Sequence, residues 1–146
     1  MSPFLLLMIN TSMNFKEFYI LMEKEHNGGL IIWLDDERDP SNKNTKKLFG
    51  TTGREVWCKT VRIAKEMIVA NNGRIKKISF DNDLGEYEQE GKELAKWILE
   101  KTLDGDTGDF KIQRFDDWLV HSQNNIAASE IDNLMHDAQI VYDGIK

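Results

Sequence analysis

Hydrophobic residues fall in short continuous blocks separated by amphipathic stretches. Leu30-Ile31-Ile32-Trp33-Leu34 is entered from two glycines and closed by Asp35-Asp36, the form of a strand buried on both faces. Ile75 to Phe80 has the same form and ends in Asp81-Asn82-Asp83, then Leu84-Gly85. Two further runs, Glu55 to Thr60 and Asp117 to His121, read as strands as well. Between them the spacing turns helical. Val61, Ala64, Met67 and Ile68 predict a helix capped by Thr60 and stopped at Asn71-Asn72-Gly73, and Leu94, Ala95, Trp97 and Ile98 predict one entered from Glu86 to Gly91 and ending before Asp104-Gly105-Asp106. The last helix starts near Ile126, with Ala127, Ile131, Leu134, Met135, Ala138 and Tyr142 on one face, while Phe15, Phe18, Tyr19 and Met22 mark an earlier helix ending near His26. Pro40 to Arg54 is polar and reads as a long surface loop.

Strands that alternate with helices predict an α/β fold with a mainly parallel open sheet, because parallel neighbours need a crossover connection. A length of 146 residues suits one core. The expected division is an N-terminal extension with an amphipathic helix over residues 1–29 and the α/β domain over 30–146. Phe4 to Ile9 is an apolar run of six residues with no Lys or Arg before it, which fails as a signal peptide and is too short to span a bilayer. It is expected to pack on the domain, or to precede a true start at Met13.

Charge narrows the partners. With 19 Lys+Arg against 25 Asp+Glu the net charge is -6, so a nucleic-acid polymer is not the expected ligand. The one cysteine, Cys58, excludes an intramolecular disulfide and a multi-cysteine zinc site and suits the reducing cytoplasm. Trp33 and Trp118 are expected in the core and His136 on a helix surface.

Ligands of open α/β sheets collect at the carboxyl ends of the strands. Three predicted strands end there in polar residues: Asp35 and Asp36, Asp81 and Asp83, and His121 and Ser122. Two carboxylates about 4 Å apart repel by roughly 4 kcal/mol at an effective dielectric of ~20, so such a cluster calls for a proton, a basic partner or a cation. Mg²⁺ or Mn²⁺, held by Asp35, Asp36, Asp81 and Asp83, is the expected cofactor, since hard cations take oxygen ligands and keep positions open for a phosphate. Ser122 and Asn124, before a helix, can donate to phosphate oxygens, and the Arg38 fork can hold two of them. His121 is of the residue type suited to moving a proton at neutral pH.

These motifs carry a resemblance. Trp33-Leu34-Asp35-Asp36-Glu37-Arg38-Asp39-Pro40, Ile78-Ser79-Phe80-Asp81-Asn82-Asp83-Leu84-Gly85 and Val120-His121-Ser122-Gln123-Asn124 resemble the cyclic-phosphate processing receiver domains, relatives of response-regulator receivers with a flavodoxin-like fold. The resemblance implies that Asp35, Asp36 and Asp81 form an acidic pocket, with Asp81 at the phosphoacceptor position and Ser122 at that of the phosphoryl-contacting hydroxyl. It makes His121 a feature of the cyclic-phosphate family. The chain departs from the pattern with Asn82 where His is common and Asn125 where a Pro turn is common. No apolar strand follows the last helix, so the lysine of ordinary receivers has no counterpart, and the Pro40–Arg54 loop stands where their first helix would be.

The function expected from residues and resemblance together is metal-dependent, phosphoesterase-like processing of a cyclic or activated phosphate on a nucleotide or nucleotide derivative, with His121 and Asp81 catalytic. The alternative is a non-catalytic pseudo-receiver that binds a nucleotide messenger or a protein partner, in conflict between phage and host. A true phosphoacceptor is the third reading, weakened by the missing lysine.

Overall fold

The computed structural model describes residues 29–145 apart from 72, 107 and 109. Four parallel strands, β1 (Leu30–Leu34), β2 (Val56–Cys58), β3 (Ile75–Phe80) and β4 (Trp118–Val120), form one sheet in the order β2-β1-β3-β4. Helices α1 (Lys43–Phe49), α2 (Val61–Ala70) and α3 (Gly91–Asp104) connect them, and α4 (Asn125–Ile145) follows β4. The α/β receiver-like fold is thus present, and among the described residues no fifth strand follows α4. The apolar run Phe4–Ile9 and the helix expected around Phe15–Met22 lie outside the described residues. Among the described residues no helix is long and apolar enough to cross a membrane.

The continuous apolar runs form the central strands because both faces of the sheet are covered. Leu30, Ile32, Leu34, Ile78 and Phe80 are buried and pack with Met67 and Ile68 of α2, Leu94 and Ile98 of α3, and Ile131 and Met135 of α4. Removing a side chain of this size from water stabilises by about 1.5–3 kcal/mol. Trp33 is buried as expected, while Trp118 is only partly so and donates its indole N–H to Asp132 on α4. Cys58 is buried on β2, where burial pushes its thiol up to about 12.

The polar stretch after β1 corrects the sequence reading: it contains α1 and not only a loop. The signals are local. Asn42 caps the helix by accepting from the Asn44 N–H, Gly50 closes it in the left-handed conformation at φ 72°, and Lys46 and Lys47 lie in its last turn. Seven residues are too few to develop the repeating apolar face by which the longer helices announce themselves. Thr60, by contrast, caps α2 as expected, accepting from the Ile63 N–H at 3.1 Å.

The chain runs from β1 outward to β2 and returns to β3 on the other side of β1, so the strand order reverses between β1 and β3. Backbone ladders continue past the strand ends there: the Asp81 N–H donates to the Leu34 carbonyl and the His121 N–H to the Phe80 carbonyl, both at 2.9 Å. The polar residues that follow each strand are thereby fixed to the sheet.

Candidate functional site

At this edge the polar residues separate into two tiers. The inner tier is Asp35, Ser79 and His121, all buried. His121 Nε2 lies 3.0 Å from Asp35 Oδ2, and its Nδ1 lies 2.8 Å from the Ser79 hydroxyl. A carboxylate only accepts, which assigns the Nε2 proton to the Asp35 bond, while the Ser79 hydroxyl can either donate to Nδ1 or accept from it. The ring is stacked on Trp33 at 3.9 Å between centroids and meets the edge of Phe49 at 5.5 Å.

Asp35 uses its whole acceptor capacity. Its Oδ1 accepts the backbone N–H groups of Glu37 and Arg38, each at 2.9 Å, and its Oδ2 takes His121 Nε2 and Arg38 Nε, the latter also at 2.9 Å. A carboxylate offers about four lone-pair sites, and four donors are present. Burial alone would raise this carboxyl, but His121, the two backbone donors and the Arg38 charge together hold it below the usual carboxylate range.

The outer tier lines an open cleft of about 560 Å³, walled by Asp36, Arg38, Asp81 and Asp83 together with Ser122 and Asn124. Glu37, Gly85 and Gln123 complete it. Most of the candidate residues expected from sequence meet here, whereas Asp35 and His121 stand behind the wall. Burial and then the Asp35 charge raise the Asp81 carboxyl above its ordinary value, against the lowering influence of His121, the Asn82 N–H and Arg38. Asp36 is also raised, chiefly by burial, with the charges of Glu37, Asp35 and Asp83 adding to it.

Arg38 joins the tiers. Its Nε contacts Asp35 Oδ2, its Nη2 lies 3.5 Å from Asp81 Oδ2, and its guanidinium carbon sits 4.9 Å from the Phe49 ring centroid. Its main chain is held as well, since the Trp33 indole N–H donates to the Arg38 carbonyl at 2.8 Å. Ser122 Oγ accepts from the Asn124 N–H and Asn124 Oδ1 caps α4 through the Ala127 N–H, both at 3.1 Å. Among the described residues the Ser122 hydroxyl proton and the Asn124 amide protons have no acceptor, which leaves them for a ligand. Lys43, Lys46 and Lys47 lie exposed on α1 and do not line the cleft.

Asp35, Asp81 and His121 offer ligand atoms that all lie within 4.8 Å of one another, close enough to hold a metal ion. Arg38 already contacts both carboxylates of that group. Asp36 and Asp83 line the cleft beside Asp81 but lie outside that close group, and as oxygen donors they suit the surroundings of a hard cation.

Three participants escaped the sequence reading. Ser79 is a lone hydroxyl in an apolar strand, and that polarity was its signal. Glu37 sits between two residues that were singled out. Gly91 opens α3 with its Cα against the end of β3: a Cβ there would lie 1.9 Å from the Asp81 carbonyl oxygen, and its N–H donates to the Asn82 carbonyl at 2.8 Å. Only glycine fits so close an approach.

Neither curated proteins nor solved structures gave a match to the chain. One family model, that of the cyclic-phosphate processing receiver domain, matches residues 30–137. This span runs from the first residue of β1 into α4 and contains every residue of both tiers, so the chain belongs to the cyclic-phosphate processing receiver domain family.

Proposed function

We propose that the protein processes a cyclic or otherwise activated phosphate ester of a nucleotide type, using a divalent cation, Mg²⁺ or Mn²⁺, at the cleft. The observation that carries this reading is the composition of the cleft wall: Asp36, Asp81 and Asp83 supply anionic oxygens, and Arg38, Ser122 and Asn124 supply donors for phosphate oxygens. Family membership supports the same chemistry. Burial first and neighbouring carboxylate charge second raise the Asp36 and Asp81 carboxyls, and a bound cation would offset both.

Asp81 would take the cation at the cleft wall, with Asp35 behind it and Asp36 and Asp83 on the same wall. When bound, the cation supplies charge stabilisation at a phosphoryl oxygen. Ser122 and Asn124 orient the phosphate from the start of α4, and the Arg38 fork, half-exposed at the wall, neutralises charge on the remaining oxygens. His121 acts through Asp35: it is a positioning residue, because both its ring nitrogens are engaged and its side chain is 1% exposed.

The burial of His121 also favours the second reading, a non-catalytic module that binds a phosphorylated messenger, because among the described residues no imidazole lines the cleft to carry a proton. A panel of cyclic nucleotides, other cyclic phosphate esters and nucleoside monophosphates, assayed with Mg²⁺ or Mn²⁺ for both heat of binding and product, separates the two. Product with a cyclic ester supports processing; binding without product across the panel supports the module; neither binding nor product removes both.

A further inference from the structure

A second cavity, of about 280 Å³, adjoins the acidic cleft, and Glu37 and Arg38 line both. The two differ in chemistry. No large apolar side chain lines the cleft, whereas Leu48 and Phe49 of α1 line the neighbour, with Asn44 beside them. Leu48 is 74% exposed although it stands next to buried structure. Arg38 lays its guanidinium over Phe49 at the shared wall, and a guanidinium plane is a surface on which flat rings stack. The side chains of Asn44 and Glu37 make no hydrogen bond or ion pair among the described residues.

We propose that this second cavity is the subsite for the planar, uncharged group of a two-part ligand, a nucleobase-bearing phosphate ester whose phosphate occupies the acidic cleft. The proposal rests on the reading of the cleft as a phosphate site and adds where the base of such an ester would sit. A cavity of this size has room for a ring system, and the larger, polar cleft beside it is left for the charged end. Leu48 and Phe49 offer apolar contact to the ring, and the Asn44 amide offers a donor and an acceptor to its edge. Glu37, at the boundary, accepts from hydroxyls of the linking sugar. Inorganic phosphate alone would leave the second cavity unused, and a free nucleoside would leave the cleft unused.

Calorimetric titration in Mg²⁺ with adenosine 5′-monophosphate and with ribose 5-phosphate, which lacks the base, tests the assignment. The wild type is expected to bind the nucleotide at least tenfold more tightly. Leu48→Gln, an exposed change whose retained fold is checked by its melting temperature, is expected to remove most of that advantage while leaving ribose 5-phosphate affinity within twofold. Asn44→Ala, also exposed, is expected to remove part of it. Equal affinity for the two probes in the wild type, or an advantage untouched in both variants, overturns the subsite while leaving the cleft reading intact. If neither probe binds, the subsite is overturned, and the cyclic-ester panel above decides the cleft reading separately.

Discussion

His121 reaches across β3 to bind Asp35: its Nε2 lies 3.0 Å from Asp35 Oδ2, although their strands, β4 and β1, are not neighbours in the sheet. Ser79, on the intervening β3, holds the other ring nitrogen. One imidazole therefore links the ends of three strands and presents Asp35 to Arg38, which in turn reaches Asp81.

Because Asp35 accepts from four donors, Asp35→Asn is expected to be strongly destabilising. The amide would turn one oxygen into a donor, facing either two backbone N–H groups or the Arg38 and His121 nitrogens. Loss of a buried, paired charge of this kind costs about 3 kcal/mol, read as a fall in urea unfolding free energy. A loss below about 1 kcal/mol, the size of an ordinary neutral hydrogen bond, would contradict the buried hub.

Arg38 neutralises the carboxylates that a metal would use, so guanidinium and cation compete. Arg38→Gln is expected to lower metal-free stability yet tighten Mn²⁺ binding by about tenfold, which corresponds to about 1.4 kcal/mol. Isothermal titration gives the affinity directly. Weaker Mn²⁺ binding in the variant would mean that Arg38 supports the metal site and does not oppose it.

The carboxyls respond to pH with opposite signs. Asp35 is lowered on folding, so its contribution is present above the unfolded value of about 3.9 and is lost as pH falls through the folded value. Asp81 is raised, so its contribution is present below the unfolded value and lost as pH rises through the folded one. Asp81→Asn is therefore expected to be more stable than the wild type in EDTA at pH 7, with the difference shrinking as pH falls through the raised folded value towards the unfolded one of about 3.9. Urea unfolding at both pH values checks this, and a variant less stable at pH 7 would count against it.

The strands and the site edge were legible because each core strand is a continuous apolar run stopped by acids, a one-dimensional signal. Leu30–Leu34 and Ile75–Phe80 have the predicted ends, and Thr60 caps the helix it was expected to cap. The short α1 was not legible, since its stability comes from its two caps and not from an apolar face. Nor was the division of the acids into tiers. Asp35 and Asp36 are adjacent, yet one points to His121 and the other lines the cleft beside Gly85, a choice set by the partners that folding brings up from 86 residues away.

Ordinary receivers hold an aspartyl phosphate with a lysine from a strand for which this chain shows no counterpart among the described residues. Incubation with a small phosphodonor and Mg²⁺ is expected to give no lasting phosphorylation of Asp81. Intact-mass spectra decide it: a stoichiometric single-phosphate shift that Asp81→Asn abolishes would make the protein a phosphoacceptor.

The most direct test of metal-dependent processing at the cleft is a phosphorus-31 NMR time course on a 2′,3′-cyclic nucleotide with the protein and Mg²⁺. The predicted result is replacement of the cyclic resonance by that of a phosphate monoester, stopped by EDTA and by Asp81→Asn. A cyclic resonance that persists unchanged with Mg²⁺ or Mn²⁺, or one that converts equally well in EDTA, would contradict it.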